Sequence, residues 1–347
     1  MKIELSEYDA AWPGLYQRER ERIVAALPDA ELEHVGSTSV PGLCAKPLID
    51  MMLVVDDPRD EASYVPALEA AGYRVTVRED DWHDHRILKG PDTKVNLHVF
   101  PRGCAQVRRH LVFRDWLRVN DDDRELYALT KRELVARARE RERVQDYAAA
   151  KREVVLEILE RAFLAWRPSS DDVEYVTETP AGDVRITLED YNPAWPDWYA
   201  REEERIRGAL GSEVVRLEHV GSTSVPGLAA KPLIDILLVV PDSDDEDAYV
   251  PALVEAGYCL RLREPGWYRH RLLKDSDPEV NLHVFSPACE EVDRMLAFRD
   301  RLRTNVEDRA EYEAVKRELA TRGWERVQDY ADGKTRVVER IVLRALG

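Results

Sequence analysis

The chain predicts an α+β fold built twice in tandem, each unit a small mixed β-sheet with flanking helices and a C-terminal helical part. Three observations carry this. The 19-residue string LEHVGSTSVPGLCAKPLID at Leu32 to Asp50 returns as LEHVGSTSVPGLAAKPLID at Leu217 to Asp235, with one change at Cys44/Ala229. The offset of 185 residues, which also relates His98 to His283, is domain-sized and far longer than a solenoid repeat. Within each copy a short apolar run, PLIDMMLVV or PLIDILLVV, has the length of a strand, and charged segments of helical periodicity close the unit.

The elements of copy one follow in order. Trp12 to Leu27 predicts a helix, with Pro13 suited to its first turn and QRERERI forming a solvated face. A short apolar segment then leads to the glycine-serine loop. Pro47 to Val55 predicts a central strand, too apolar for an edge and too short for a typical helix. Glu61 to Ala71 predicts a helix stopped at Gly72, and strands follow near Tyr73 to Arg78, His85 to Lys89 and Lys94 to Phe100. From Ala105 to Trp166 the pattern predicts two or three amphipathic helices, with Leu111, Phe113, Leu117, Leu126 and Leu129 on apolar faces. Copy two repeats this order.

The 347 residues accommodate units at 1–167 and 184–347, each large enough for its own core. Residues 168–183 mix Pro, Ser, Gly and acidic residues without periodicity and predict a linker. A net charge of −17 argues against a nonspecific grip on nucleic-acid backbone, which needs clustered positive charge. No run approaches the ~18 apolar residues of a membrane span, and the N-terminus has no signal-sequence pattern, so a cytoplasmic protein is expected. Four cysteines with no CxxC pair predict neither a disulfide framework nor a zinc cluster.

Gly36 and Ser37, followed 13 residues after Ser37 by Asp50 on an apolar strand, form the pattern of a loop that grips phosphate beside a carboxylate that holds a metal. Glycine lets the backbone approach closely, and its amides can face phosphate oxygens. Ser37, Thr38 and Ser39 add hydroxyl donors, Lys46 a positive charge, and Asp50 a ligand for Mg²⁺. Copy two offers Gly221, Ser222, Thr223, Ser224, Lys231 and Asp235. The alternative reading of the loop is a tight turn with hydroxyl capping, and of Asp50 a structural pair with Lys46.

Outside the shared string the copies drift, which gives weight to what is retained. Asn96 and His98 lie on one face of a strand, as do Asn281 and His283, and both histidines are candidates for a metal ligand or general base. Arg114, Arg118, Arg299 and Arg303 are candidate phosphate contacts, as are Lys131 and Lys316; the competing reading is a solvated helix face. His34/His219 read as structural. Tyr147 and Lys151, matched by Tyr330 and Lys334, stand one helical turn apart, and Trp82/Trp267 read either as base-stacking or as core-filling residues.

These motifs resemble the nucleotidyltransferase-fold superfamily, whose mark is G-[GS] followed by D-x-D on a strand, and more specifically the GrpB family. The resemblance to GrpB rests on HVGSTSVPGL-AKPLID, NLHVF, FRDWLR or FRDRLR and a downstream Y…K, and covers essentially all of both copies. It implies two nucleotidyltransferase-like domains that bind a nucleotide or phosphorylated small molecule with Mg²⁺, with Asp50 and Asp235 as metal ligands, and implies transfer of a nucleotidyl group. The second carboxylate of D-x-D is missing, however: Met52 and Leu237 stand there. The alternative implied is therefore a catalytically degenerate module for a nucleotide or CoA-like ligand, since GrpB relatives also occur joined to dephospho-CoA kinase. Catalysis is left open between these. A phosphoesterase built on the histidines ranks third.

Overall fold

The computed structural model describes residues 4–141, 144–166, 173–177, 186–276, 278–324 and 327–347, and the side chains of 137–150, Tyr147 among them, lie outside the described set. The chain divides into two compact units, Met1–Ala165 and Trp166–Gly347.

In the first unit, helix α1 (Trp12–Ala26) starts with a proline in its first turn, where a missing N–H costs nothing. Strand β1 (Glu31–Val35) then runs into a single 3₁₀ turn, Ser37–Ser39, and strand β2 (Ile49–Val55) follows. The helix expected over Glu61 to Ala71 is interrupted: a 3₁₀ turn covers Glu61–Ser63, and α2 (Val65–Ala70) restarts at Pro66. Proline has no N–H to continue the earlier turn and its ring clashes with it, so the helix begins again around it. Strands β3 (Arg74–Glu79), β4 (His85–Lys89) and β5 (Val95–Pro101) complete the sheet, and helices α3 (Ala105–Val119), α4 (Asp121–Arg141) and α5 (Val144–Ala165) form the terminal part.

The sheet order is β1-β2-β5-β4-β3, with β2 and β5 parallel and the other pairs antiparallel. It is the mixed sheet expected. One face packs Met51, Leu53, Leu97 and Val99 against Trp12 and Ile23 of α1 and Leu68 of α2. Each such fully buried aliphatic side chain contributes roughly 1.5–3 kcal/mol. On the other face Met52 and Phe100 meet Cys104 and Leu111. A third cluster joins Val40 and Leu43, just beyond the glycine-serine turn, to Leu117, Tyr127 and Ile158 of the helical part. That cluster holds α4 over the turn.

The second unit repeats the plan. It comprises a short strand β6 (Glu174–Tyr175), α6 (Trp195–Leu210), β7 (Arg216–Val220), a 3₁₀ turn Ser222–Ser224, β8 (Ile234–Val239) and α7 (Val250–Glu255). Then come β9 (Cys259–Glu264), β10 (His270–Ser276), β11 (Glu279–Phe285), α8 (Glu290–Thr304), α9 (Val306–Ala320), α10 (Val327–Gly333) and α11 (Thr335–Leu346). Its sheet order is β6-β9-β10-β11-β8-β7. Thus β6, inside the segment read as a linker, pairs antiparallel with β9, through Glu174 with Arg263 and Tyr175 with Leu262. Two alternating residues give too weak a period to mark a strand in the sequence. No helix among the described residues is long and apolar enough to cross a membrane.

Candidate functional site

The parallel register of β2 and β5 places Asp50 beside Asn96 and Met52 beside His98. In the second unit Asp235 stands beside Asn281 and Leu237 beside His283. Asn96 Nδ2 donates to Asp50 Oδ1 at 2.8 Å, and Asn281 does the same to Asp235 at 2.9 Å. The two carboxylate side chains are 30% and 25% exposed, so a ligand can reach them. Burial works against the ionised form of Asp235, but His283, the Asn281 amide and the Lys334 ammonium together hold its carboxyl below the usual carboxylate range.

Gly36 has φ +69° and ψ −173°, a conformation open essentially to glycine alone. A Cβ there would stand 2.7 Å from Asp50 Oδ2, and at Gly221 the corresponding contact with Asp235 is tighter still. The glycine therefore brings backbone and carboxylate together. The turn's own bonds run from Ser39 N–H to Gly36 O and from Val40 N–H to Ser37 O, leaving the N–H groups of Ser37 and Thr38 outside them.

The three hydroxyls of the turn divide. Thr38 is buried and donates to Leu48 O at 3.3 Å, so His34 Nε2, 3.1 Å away, donates to Thr38. Ser39, also buried, donates to Gly36 O at 2.6 Å. Thr223 with His219 and Ser224 repeat these bonds. These four hydroxyls fasten the turn, each donating its proton to a backbone carbonyl. Ser37 and Ser222 instead meet lysines. Lys131 Nζ, on α4, lies 3.1 Å from Ser37 Oγ and also bonds to Cys44 O, and Lys316 on α9 lies 3.1 Å from Ser222 Oγ and bonds to Ala229 O.

Each of these lysines is 2% exposed, and among the described residues none forms an ion pair with a carboxylate. The ring of Tyr127 lies 4.5 Å from Lys131 Nζ and that of Tyr312 4.7 Å from Lys316 Nζ. Burial pushes both ammonium groups down to about 7. Tyr127, whose phenol burial raises to about 12, also bonds to Ser37. Lys46 and Lys151 enter the same site; burial lowers both, and Asp50 is the carboxylate that opposes the shift.

A chain of imidazoles backs the carboxylate. Glu79 Oε2 lies 2.7 Å from His85 Nδ1, His85 Nε2 lies 2.9 Å from His98 Nδ1, and His98 Nε2 lies 3.7 Å from Asp50 Oδ1. The copy runs Glu264, His270, His283, Asp235 at 2.6, 3.2 and 3.7 Å. An ionised Glu79 fixes the proton of neutral His85 on Nδ1, which makes His85 Nε2 an acceptor and fixes the proton of His98 on Nδ1. While His98 is neutral its Nε2 lone pair is then left facing the site; a protonated ring instead turns an N–H to the carboxylate, the form in which His283 lowers Asp235. The lone pair can take a proton or share a divalent ion with Asp50.

In the first unit these groups line a cavity of about 490 Å³ formed by Gly36, Ser37, Lys46, Asp50, Asn96, His98, Lys131 and Lys151 with five apolar or turn residues and His110. Its one lining residue to change identity in the second unit is His110, replaced by Met295. The expected contacts by arginine are not among them. Arg114 reaches Glu33 Oε2 at 2.6 Å and His34 O at 3.0 Å, and Arg299 reaches Glu218 and His219 O. Arg118 and Arg303 hold the carbonyls of Ser39 and Ser224. Helix α3 presents His110 to the cavity but turns Arg114 and Arg118 to the carbonyls behind the turn. Lys231 occupies the Lys46 position. Met52 and Leu237, where a second carboxylate would stand, are fully buried in apolar clusters. A single carboxylate suits a Mg²⁺ that keeps waters and substrate phosphates as its other ligands, but not a two-metal clamp.

Besides His110, two pairs of this site are absent from the sequence reading: Glu79/Glu264, which orient the histidines, and Tyr127/Tyr312, beneath the lysines. Both pairs carry the 185-residue offset, which was the available signal.

The model of the family described as GrpB protein matches residues 2–161 and again 185–344. The chain belongs to the GrpB family. A UPF0157 protein of Halalkalibacterium halodurans is 53% identical over 177 residues, which is 50% of this chain and 91% of that protein. A UPF0157 protein of Streptomyces coelicolor is 45% identical over 52% of this chain and 93% of its own length. A dephospho-CoA kinase of Mycolicibacterium paratuberculosis is 31% identical over 40% of each chain. The crystal structure of a conserved protein GrpB from Enterococcus faecalis aligns with a TM-score of 0.38 at 28% identity, covering 46% of this chain and 97% of that one. These GrpB relatives span about one copy each, and this GrpB chain carries two.

Burial lowers His34, His219 and His270 to about 4. Because an unfolded histidine titrates near 6.5, the unfolded chain holds more protons between about pH 4 and 6.5, and stability is lost as pH falls through that window. Imidazole NMR titration is expected to show these three rings neutral at pH 5. Protonation of any of them near 6.5 contradicts the tautomers assigned above.

Proposed function

We propose that each GrpB domain binds the phosphate end of a nucleotide or CoA-like small molecule in the cavity between the glycine-serine turn and Asp50 or Asp235. The observation that carries this is the buried lysine. Lys131 and Lys316 sit in the core with no ion pair to a carboxylate among the described residues, each hydrogen-bonded to the serine of the turn. A buried ammonium group without a counter-charge is costly, and an anionic ligand supplies the missing charge. Lys46 and Lys151 add positive charge at the same mouth, and the N–H groups of Ser37 and Thr38 offer backbone donors of the kind that hold phosphate oxygens. A Mg²⁺ arriving with the ligand would sit on Asp50 or Asp235 and neutralise charge on the phosphates. The dephospho-CoA kinase relatives support a CoA-like molecule within this class.

The second reading is transfer of a nucleotidyl group to a small acceptor. It is favoured by the proton order along Glu79, His85 and His98, which leaves His98 Nε2 able to accept the acceptor's proton beside Asp50. The missing second carboxylate weighs against it.

Calorimetric titration of ATP, CTP, GTP, UTP and dephospho-CoA, with and without Mg²⁺, tests both. Two equivalents per chain are expected, and Asp50→Asn and Asp235→Asn are each expected to remove the Mg²⁺ dependence at one of them. Absence of binding by every one of these compounds, or Mg²⁺ dependence unchanged in both variants, would sink the assignment. Release of pyrophosphate from a bound triphosphate in the presence of an acceptor would favour transfer.

A further inference from the structure

The back of the glycine-serine turn carries a second cavity. In the second unit it has a volume of about 490 Å³ and is walled by two tyrosines, three arginines, Glu218, whose carboxylate Arg299 holds at 2.8 Å, and the outer side of the turn at Ser224, large enough for a small molecule. We propose that this cavity is a separate binding site for a small molecule carrying an oxyanion, present once in each domain and distinct from the Asp235 pocket.

Identity of the walls supports it first. Six lining residues lie outside the repeated string, namely Tyr191, Pro196, Tyr199, Arg299, Arg303 and Arg309, and the first unit has Tyr8, Pro13, Tyr16, Arg114, Arg118 and Arg124 in their places. Their neighbours on the same helices drift: Gly14 becomes Asp197, Gln17 becomes Ala200, Trp116 becomes Arg301 and Val119 becomes Thr304. The residues inside the string that line the cavity are also unchanged.

Charge supports it next. Arg124 forms an ion pair with Asp121 at 2.7 Å. In the second unit that aspartate is Val306, yet Arg309 is kept, bonded to the carbonyls of Leu302 and Arg303 at 3.2 and 3.4 Å. An arginine retained after losing its carboxylate is not held in place by that ion pair. Arg303 spends Nε and Nη2 on Ser224 O at 3.0 and 2.9 Å, and its nearest carboxylate, Asp300, is 3.6 Å away. Burial and the neighbouring Arg299 disfavour its charge and outweigh the pull of Asp300 and Glu218, so its guanidinium is lowered on balance. An oxyanion in the cavity relieves this, and guanidinium forks suit phosphate and carboxylate alike. Tyr199, stacked on His219 at 4.7 Å, gives a rigid flat wall for the rest of the molecule, as Tyr16 on His34 does at 4.6 Å.

This site stands independently of the pocket at Asp50 and Asp235, and the test separates them. Crystals of the full chain are soaked in tungstate, a tetrahedral oxyanion with an anomalous signal, and binding of pyrophosphate and citrate is measured in solution. Expected are tungstate peaks against Arg303 and Arg309 and against Arg118 and Arg124. Expected also is a class of solution sites that survives Lys131→Met with Lys316→Met and weakens about tenfold or more in Arg124→Met with Arg309→Met. Equal binding of citrate assigns a carboxylate ligand, and pyrophosphate alone assigns a phosphate. Peaks only at Asp50 and Asp235, or none, overturn the proposal. So does solution binding that the arginine variants leave unchanged while their circular dichroism matches the parent.

Discussion

Replacing Lys131 and Lys316 together with methionine is expected to weaken binding of the phosphorylated ligand by about 30-fold to 1000-fold, the ~2–4 kcal/mol usual when one partner of a buried charge pair is removed. The folded protein is expected to keep or gain stability at pH 7. Methionine fills a similar length of core, and the ammonium group it replaces is 2% exposed with no ion-paired carboxylate among the described residues, its desolvation outweighing the opposing pull of Glu313 and Asp235 on Lys316. Loss of binding with no loss of stability distinguishes a ligand-facing lysine from a structural one. The sign of the pH dependence follows. Both lysines lie near 7 in the folded protein and near 10.4 unfolded. Between those values the unfolded chain carries more protons, so these two groups make the unliganded protein more stable as pH rises from 7 toward 9. Urea midpoints at pH 7 and 9, compared between parent and double variant, check this. A variant that binds normally, or one whose midpoint collapses at pH 7, contradicts the role assigned to the lysines.

The second large effect is expected at Gly36 and Gly221. Alanine at either position must hold φ near +69° with ψ near ±180°, which costs about 1–3 kcal/mol by itself. Its Cβ also meets the carboxylate behind it, 2.7 Å from Asp50 Oδ2 in the first unit. The carboxylate must move, and the Asn96 and Asn281 bonds move with it. A loss of roughly 2–4 kcal/mol in the affected domain is expected, seen as a fall of about 5–15 °C in its thermal transition. Nucleotide stoichiometry should fall toward one per chain in either single variant. An unchanged transition with two ligands still bound would mean that the turn is not held as described.

Much of this was legible from residue patterns. The strand through Asp50 declares itself because seven apolar residues among the eight between Pro47 and an acidic loop suit a buried strand and little else. The parallel partner Val95–Pro101 instead alternates, with Asn96 and His98 on one face between buried apolar residues. Two elements escaped for local reasons. Pro66 breaks a helix whose apolar period runs straight through it, and β6 is too short to have a period at all. Among the site residues, the serines and threonines of the turn look equivalent in sequence. Their different duties arise because the 3₁₀ turn points Thr38 and Ser39 inward, where burial obliges each hydroxyl to find a carbonyl. Arg114 and Arg118 share the spacing of a phosphate-binding face, but the side of the turn that α3 crosses is set by packing against β1, which no helical period reports.

By itself the sequence determined that one domain occurs twice, that each is a mixed sheet with a helical tail, and that a glycine-serine turn precedes a lone aspartate on a central strand. These follow from short-range regularities and from direct repetition. Only the tertiary structure decided which side chains meet. Lys131 reaches Ser37 across 94 residues and Glu79 orders the histidines behind Asp50. Such meetings depend on how helices and strands pack around buried apolar clusters, a long-range outcome that leaves no period in the chain.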